Sequence, residues 1–291
     1  MDRVLLSKTN RRLSKDSVMK WLFGAIAAAV LGITFFLFYG IGADGVGRLN
    51  LSFFTNFGSR FPEKAGIKAA LVGTLALMAI VIPVSMFLGL CSAIYLEEYA
   101  KKNKWTSFIE MNISNLAGVP SVVFGLLGLT VFVRALSLGN SILAAGLTMS
   151  LLILPIIIVA SQEALKSVPD TLREASYGMG ATKWQTITHV ILPSAIGSIL
   201  TGSILSFSRA IGETAPLIVL GIPVIVQFLP TGPLSTFTAL PMQIYDWAKR
   251  PQPEFAEAAS AGIIVLMVLL ISMNGIAIYF RNRSEKKLQN R

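Results

Sequence analysis

Six stretches of this chain run for about the thickness of a bilayer's hydrocarbon core with no Asp, Glu, Lys or Arg. That distribution of charge constrains the fold more than any motif. Trp21 to Gly40, Ala69 to Leu96, Met111 to Val133, Ala135 to Gln162 and Ala258 to Phe280 are uncharged, and Val190 to Ser208 is equally clean up to Arg209. A helix rising about 1.5 Å per residue needs about 20 apolar residues to cross. A soluble core supplies one or two such runs, whereas six predict an all-α membrane protein with six transmembrane helices. The composition agrees, because only 14% of the residues are charged, against about 25% in soluble domains.

The net charge of +10 first suggests nucleic acid, and its placement argues against that. Arg3, Lys8, Arg11, Arg12, Lys15 and Lys20 precede the first span. Lys101, Lys102 and Lys104, then Lys166, Arg173 and Lys183, fall between later ones, and Arg281, Arg283, Lys286, Lys287 and Arg291 follow the last. In a six-span path these seventeen lie on the side that holds both termini. The seven on the opposite side are Arg48, Arg60, Lys64, Lys68, Arg134, Lys249 and Arg250. This is the positive-inside bias, which predicts that both termini are cytoplasmic, with lipid as partner and no nucleic acid. Cys91 is the only cysteine and His189 the only histidine, so an intrachain disulfide and a His-rich metal site are both excluded. The first apolar run is too long for the core of a signal peptide and reads as a retained span.

Residues 1–18 form a basic cytoplasmic tail, and 19–65 hold the first span with an external loop rich in Gly, Asn, Ser and Phe. Spans three and four pair through a turn near Arg134 to Asn140. Span five begins at Pro193, whose missing N–H costs nothing in a helix's first turn. After Pro216 the chain is broken by Pro223, Pro230, Pro233 and Pro241. Irregular backbone of this kind must lie against protein or dip into an external vestibule. The last span ends in a cytoplasmic tail, 282–291. Trp21 reads as an interface anchor, Asn112 and Asn115 as capping or interhelical groups, and Pro120 as a kink. Arg48 and Arg60 read as solvated loop charges, and His189 as a surface or packing residue.

The loop 162–193 is the most informative segment. Ser167 and Pro169 predict a helix start, and Leu172, Ala175, Ser176 and Met179 fall on one small-apolar face. Gly178 and Gly180 end that helix. Thr182 and Gln185 have capping-box spacing for a second short helix, in which Trp184, Ile187 and Ile191 share a face. From periodicity alone the first helix serves equally well lying on lipid or docking into a groove on a partner protein. Gly178 to Lys183 lacks the spacing of a phosphate-binding loop, and no nucleotide-binding motif occurs in the chain.

Arg209 and Glu213 are the charges that interrupt span five. Arg209 lies sixteen residues past Pro193, about 24 Å along a helix and in the outer half of the bilayer. Each charge costs about 2.5–3.5 kcal/mol at a helix centre, and a spacing of four lets the two pair. Ala195, Ser198, Gly202 and Ser206 lead up to them as a small, partly polar face suited to close helix contact or a wetted path. Two readings stand: an ion pair that joins this helix to a partner, or a station for an anion at Arg209 with Glu213 as its resting counter-ion.

Glu174-Ala175-Ser176, then Gly180, then Val190-Ile191-Leu192-Pro193 resembles the EAA signature of ABC importer permeases, with Ser176 replacing the second Ala and Val190 an Ile. Ser208-Arg-Ala-Ile-Gly-Glu-Thr-Ala-Pro-Leu217 resembles the span-five motif of phosphate ABC transporter permeases, the PstA type above its PstC partner. Gly118-Val-Pro-Ser-Val-Val-Phe-Gly-Leu-Leu-Gly128 is similar to another stretch of that family. The resemblance covers about residues 66–281 and implies a type I permease architecture with a non-catalytic role in phosphate import. It implies Glu174, Ala175, Ser176 and Gly180 as ATPase-coupling residues and Arg209 and Glu213 on the substrate pathway. The implied partners are a PstC-type permease, two PstB-type ATPases carrying ATP and Mg, and an extracytoplasmic PstS-type phosphate-binding protein. This chain itself would bind no cofactor. The alternatives are a permease for another oxyanion, sulfate or molybdate, a proton-coupled secondary transporter using Glu213, and a passive channel or purely structural membrane subunit.

Overall fold

The computed structural model describes the backbone of residues 2–289 and the side chains of 16, 18–279 and 281–283. Twelve α-helices follow one another among the described residues. They are α1 Asp2–Gly45, α2 Leu51–Thr55, α3 Lys68–Ile94, α4 Lys104–Leu116, α5 Ser121–Gly128, α6 Ile142–Lys166, α7 Asp170–Gly178, α8 Lys183–Thr186, α9 Leu192–Gly212, α10 Ala215–Val219, α11 Leu240–Lys249 and α12 Pro253–Gln289. Three wider π-turns, Tyr95–Tyr99, Leu129–Ala135 and Ile187–Ile191, extend α3 and α5 and join α8 to α9.

Five helical stretches are long and apolar enough to cross a membrane: Val18–Arg48, Lys68–Tyr99, Ile142–Lys166, Lys183–Gly212 and Pro253–Arg283. The sixth expected span is broken. Lys104–Leu116 and Ser121–Ala135 meet at a bend of 103°, where a kink at Pro120 was expected. Pro120 disfavours helical backbone at Val119, and with Gly118 one residue further back the chain leaves the helix altogether. The boundary of span four also moves. Leu129–Ala135 completes the third span, and α6 starts only at Ile142, capped by Ser141.

Span five begins ten residues earlier than expected. The predicted second loop helix is its first turns, and Lys183–Gly212 runs as one helix. The Ile187–Ile191 turn accounts for this. A regular helix would press the Pro193 ring on the His189 carbonyl, and a π-turn just before it relieves that clash. Helix α1 extends back through the basic tail to Asp2, and α12 runs on to Gln289.

The centre of the bundle is α3 against α6. Leu77, Met78 and Val81 pack with Ala145, Met149 and Ile153, all nearly inaccessible. Helix α9 closes on α6 where Gly202 faces Ala160, so closely that an added Cβ would come within 2.5 Å of the Ala160 methyl. In a membrane such contacts between small residues carry much of the helix association. Helix α1 instead leans on α12 near its Gly45 end and exposes every residue from 18 to 39.

The proline-rich stretch lies against protein, as expected. Its Ser235 and Pro233 carbonyls accept from Ile142 N (3.1 Å) and Leu143 N (2.8 Å), two of the unpaired amides at the start of α6. Thr238 donates to Val224 O at 3.0 Å, and Leu240 N donates to the Thr74 hydroxyl at 2.9 Å. Gly73 makes this approach possible, because a Cβ there would sit 2.0 Å from Thr238 O.

Candidate functional site

The candidate site residues fall in two regions at opposite ends of α9. At the first, α7 hangs below the ends of α3 and α6. Its C-terminus closes as a Schellman turn: Gly180 N donates to Tyr177 O (2.9 Å) and Ala181 N to Ser176 O (3.2 Å). Gly180 occupies the left-handed region at φ +83, whereas Gly178 is an ordinary helical residue. The capping box then forms as expected. Gln185 N donates to the Thr182 hydroxyl at 3.3 Å, and Thr182 N donates to Gln185 Oε1 at 2.8 Å.

The faces of α7 are only partly those predicted. Leu172, Glu174, Ala175, Tyr177 and Met179 are exposed, Met179 at 89%. Ser176 is not among them. It turns inward, buried, with its hydroxyl 2.9 Å from that of Thr186. A hydroxyl with a buried partner within reach is better satisfied inside than on an apolar rim, which explains its departure from that face. Trp184 is exposed beside α7.

Sequence reasoning missed what holds α7 in place. Arg173 forms an ion pair with Glu98, and its Nη2 donates to Leu165 O at 2.8 Å. Its Nε lies 3.5 Å from Asp170. The Glu98 side chain is 5% exposed and that of Arg173 17%. The only signal in the sequence was a Glu at the end of one span and an Arg inside the loop motif, 75 positions apart, and spacing does not pair such residues.

At the other end, Arg209 Nε lies 3.4 Å from Glu213 Oε1, with side chains 47% and 19% exposed. The helix stops at Gly212 and Glu213 is extended, so the pair closes across the helix C-terminus instead of along a continuing face. A cation in the last turn also meets the negative end of the helix dipole. The face beneath Arg209 differs from the expected one. Ala195 and Ser206 are buried and Gly202 faces Ala160, while Ser194, Ser198, Thr201, Leu205, Arg209 and Gly212 form the exposed stripe. The small residues serve helix contact, and the outward polar face lies one position away. Asn112 bonds within its own helix, to Phe108 O at 2.7 Å, and His189 is exposed.

The two motif stretches around α5 and α10 meet in space. A Cβ at Gly125 would come within 2.9 Å of Pro216 Cα and Val219 Cβ, so the Gly118–Gly128 stretch is fitted to the helix that follows Glu213. Residues 82–286 match the family described as the binding-protein-dependent transport system inner membrane component. The chain belongs to this family.

Among its relatives is a probable ABC transporter permease protein, YqgI, of Bacillus subtilis (strain 168). It is 32% identical over 96% of this chain and 99% of its own length. The phosphate transport system permease protein PstA 1 of Mycobacterium tuberculosis (strain CDC 1551 / Oshkosh) is 31% identical over 94% of this chain and 90% of that one. The PstA protein of Yersinia pestis is 32% identical over 80% and 78%. In fold, the chain is similar to a bacterial alginate ABC transporter solved with an alginate pentasaccharide-bound periplasmic protein. The TM-score is 0.65 at 18% identity, over 94% of this chain and 99% of that one. The protein is thus a multi-pass, non-catalytic permease subunit of an ABC importer with the architecture of that class.

Proposed function

We propose that this chain is the PstA-type membrane subunit of an ATP-driven importer of inorganic phosphate, and that Arg209 is a station on the path. The observation that carries this reading is the exposed guanidinium at the head of the stripe Ser194, Ser198, Thr201. A charge in a membrane span is tolerated against water or a partner, not against lipid. Arg offers phosphate a planar two-point grip that Lys lacks. Glu213 neutralises Arg209 when the path is empty and gives it up when phosphate arrives. The names of the PstA relatives support phosphate as the solute.

The rest of the assembly follows from the same reading. A homologous PstC-type permease covers the α9 stripe and completes the path. Two PstB-type ATPases, which hold ATP and Mg, seat α7 through Glu174 and Ala175, with Gly180 shaping the turn. Ser176 supports the seat from inside. A PstS-type binding protein delivers phosphate at the external face. Both termini and α7 lie on the cytoplasmic side of the inner membrane, where the lysines and arginines concentrate.

The test is uptake of labelled phosphate by the full complex in proteoliposomes, with sulfate and molybdate as competitors. Arg209→Ala is expected to lower uptake by about tenfold or more, the loss of a charge-assisted contact. Normal uptake by Arg209→Ala would leave the pair a helix-to-partner tie. Uptake without ATPase subunits, or inhibition by sulfate or molybdate at phosphate-like concentrations, would refute the reading.

A further inference from the structure

We propose that Arg173 is the mechanical link through which displacement of α7 moves the membrane spans. The inference rests on the reading of α7 as the seat of the ATPase. Helix α7 is short, exposes most of its surface, and leaves the bundle through a turn pivoting on Gly180. Beyond its backbone links to α6 and α8, such a helix transmits force through the side-chain bonds that tie it to the spans. Two such bonds form: the neutral contact of Ser176 with Thr186 at the base of span five, and the Arg173 guanidinium.

Arg173 binds two spans at once. Its carboxylate partner, Glu98, sits in the π-turn that extends α3, and the Leu165 carbonyl belongs to the last turn of α6. Water is largely excluded from the ion pair, so it is little screened and stiff. The neighbouring pair Lys166–Glu97, at 3.8 Å with the lysine 46% exposed, is a poor substitute. A guanidinium can hold a carboxylate and a carbonyl in one fixed geometry. An ammonium in its place keeps the charge and loses the fork.

The body that Arg173 grips reaches the other end of the protein. Helices α3 and α6 share the close-packed central core, so a displacement of one is passed to the other. At their far ends Thr74 holds Leu240 N, and Ile142 and Leu143 donate to the segment that follows Glu213. A push on α7 is therefore delivered through Arg173 to the spans that seat the chain leaving Arg209 and Glu213. No other described side chain of α7 bonds both α3 and α6.

The complete complex, both permeases with ATPases and binding protein, tests this in proteoliposomes. Phosphate uptake and ATP hydrolysis are measured together for wild type, Arg173→Lys, Arg173→Gln and Glu98→Gln. The Gln variants are expected to retain ATPase subunits and to hydrolyse ATP, while phosphate moved per ATP falls by about fivefold or more. Arg173→Lys is expected to fall between them and wild type. An unchanged ratio, or a loss of uptake that merely follows the amount of assembled complex, would overturn the link and leave the pair a structural tie. Arg173→Lys at the wild-type ratio would show that charge alone suffices and would also overturn it. Retention of the ATPase by Met179→Asp at the wild-type level would instead refute the underlying reading of α7 as its seat.

Discussion

The turn at Gly180 offers a test in which backbone conformation and side-chain size predict opposite orders. Gly180 holds φ +83 with no atom within 4 Å of where its Cβ would lie, so the chain itself sets no steric limit there. An L-residue in that region costs about 1–2 kcal/mol, which corresponds to about 5- to 30-fold in the population of the closed turn. That turn carries both capping bonds of α7, from Gly180 N and Ala181 N. Asn tolerates the left-handed region better than Ala, and a β-branched residue tolerates it worst. Uptake and ATP-hydrolysis coupling in proteoliposomes should therefore rank Gly180, Gly180→Asn, Gly180→Ala, Gly180→Val, with the loss at Ala bounded by the same 5- to 30-fold range.

Gly178 supplies the control. It is helical and equally open, so Gly178→Ala trades a poor helix former for the best, a gain smaller at this last helical position than the about 0.8–1.0 kcal/mol of a helix interior. Uptake should be unimpaired. If crowding against a bound ATPase governs this loop, Asn at 180 will be worse than Ala, because it is larger. That order, or equal damage from Gly178→Ala, would refute the argument from φ.

Three further outcomes follow from contacts elsewhere. Gly73→Ala places a methyl 2.0 Å from the Thr238 carbonyl, a backbone atom that cannot yield, and should destabilise the purified protein by about 1–3 kcal/mol in thermal unfolding; Gly24→Ala, with open space around it, should not. Thr74→Val leaves the buried Leu240 N–H without its acceptor and should cost about 1–3 kcal/mol, whereas Thr74→Ser keeps the bond; equal midpoints for the two would disprove it. Met179→Asp puts a charge on the most exposed apolar tip of α7 and should abolish co-purification of the ATPase at an unchanged unfolding midpoint.

The spans were legible because charge is excluded from hydrocarbon over a fixed thickness, and five of the six uncharged runs supply one unbroken membrane-length helix, the fourth only from Ile142 onward. The sixth shows the limit of that logic. Apolar length between Met111 and Val133 says that a segment avoids water, not that it is straight, and Gly118 and Pro120 turn it through 103°. The capping box at Thr182 and the helix stop at Gly180 were legible because caps are local in sequence. The inward turn of Ser176 was not, since it depends on Thr186 one helix later. Nor was the roll of α9. The stripes 195/198/202/206 and 194/198/201/205 are one position apart and similar in composition. Only Ala160 on another helix decides which packs inward.

That roll bears on what one subunit is able to do. Turning Ala195, Gly202 and Ser206 inward leaves Ser194, Ser198 and Arg209 on the exposed face of α9, while Thr201, on the same stripe, accepts from Arg281 of α12 at 3.0 Å. Among the described residues Glu213 is the carboxylate that pairs with Arg209, and it leaves the guanidinium nearly half exposed. Hydrocarbon against that face would cost the fold less than the about 2.5–3.5 kcal/mol of a mid-span charge, since Arg209 lies in the last turn of α9, but the cost is still unfavourable. The proposed second permease, placing its own polar face opposite α9, would remove that cost and create a water-lined gap in one step. On this reading the anion station is only half encoded here, and the geometry that would grip phosphate exists only in the pair. A mutation of the partner's facing helix should then alter solute selection as strongly as one at Arg209, which distinguishes a shared path from a binding pocket built by one chain.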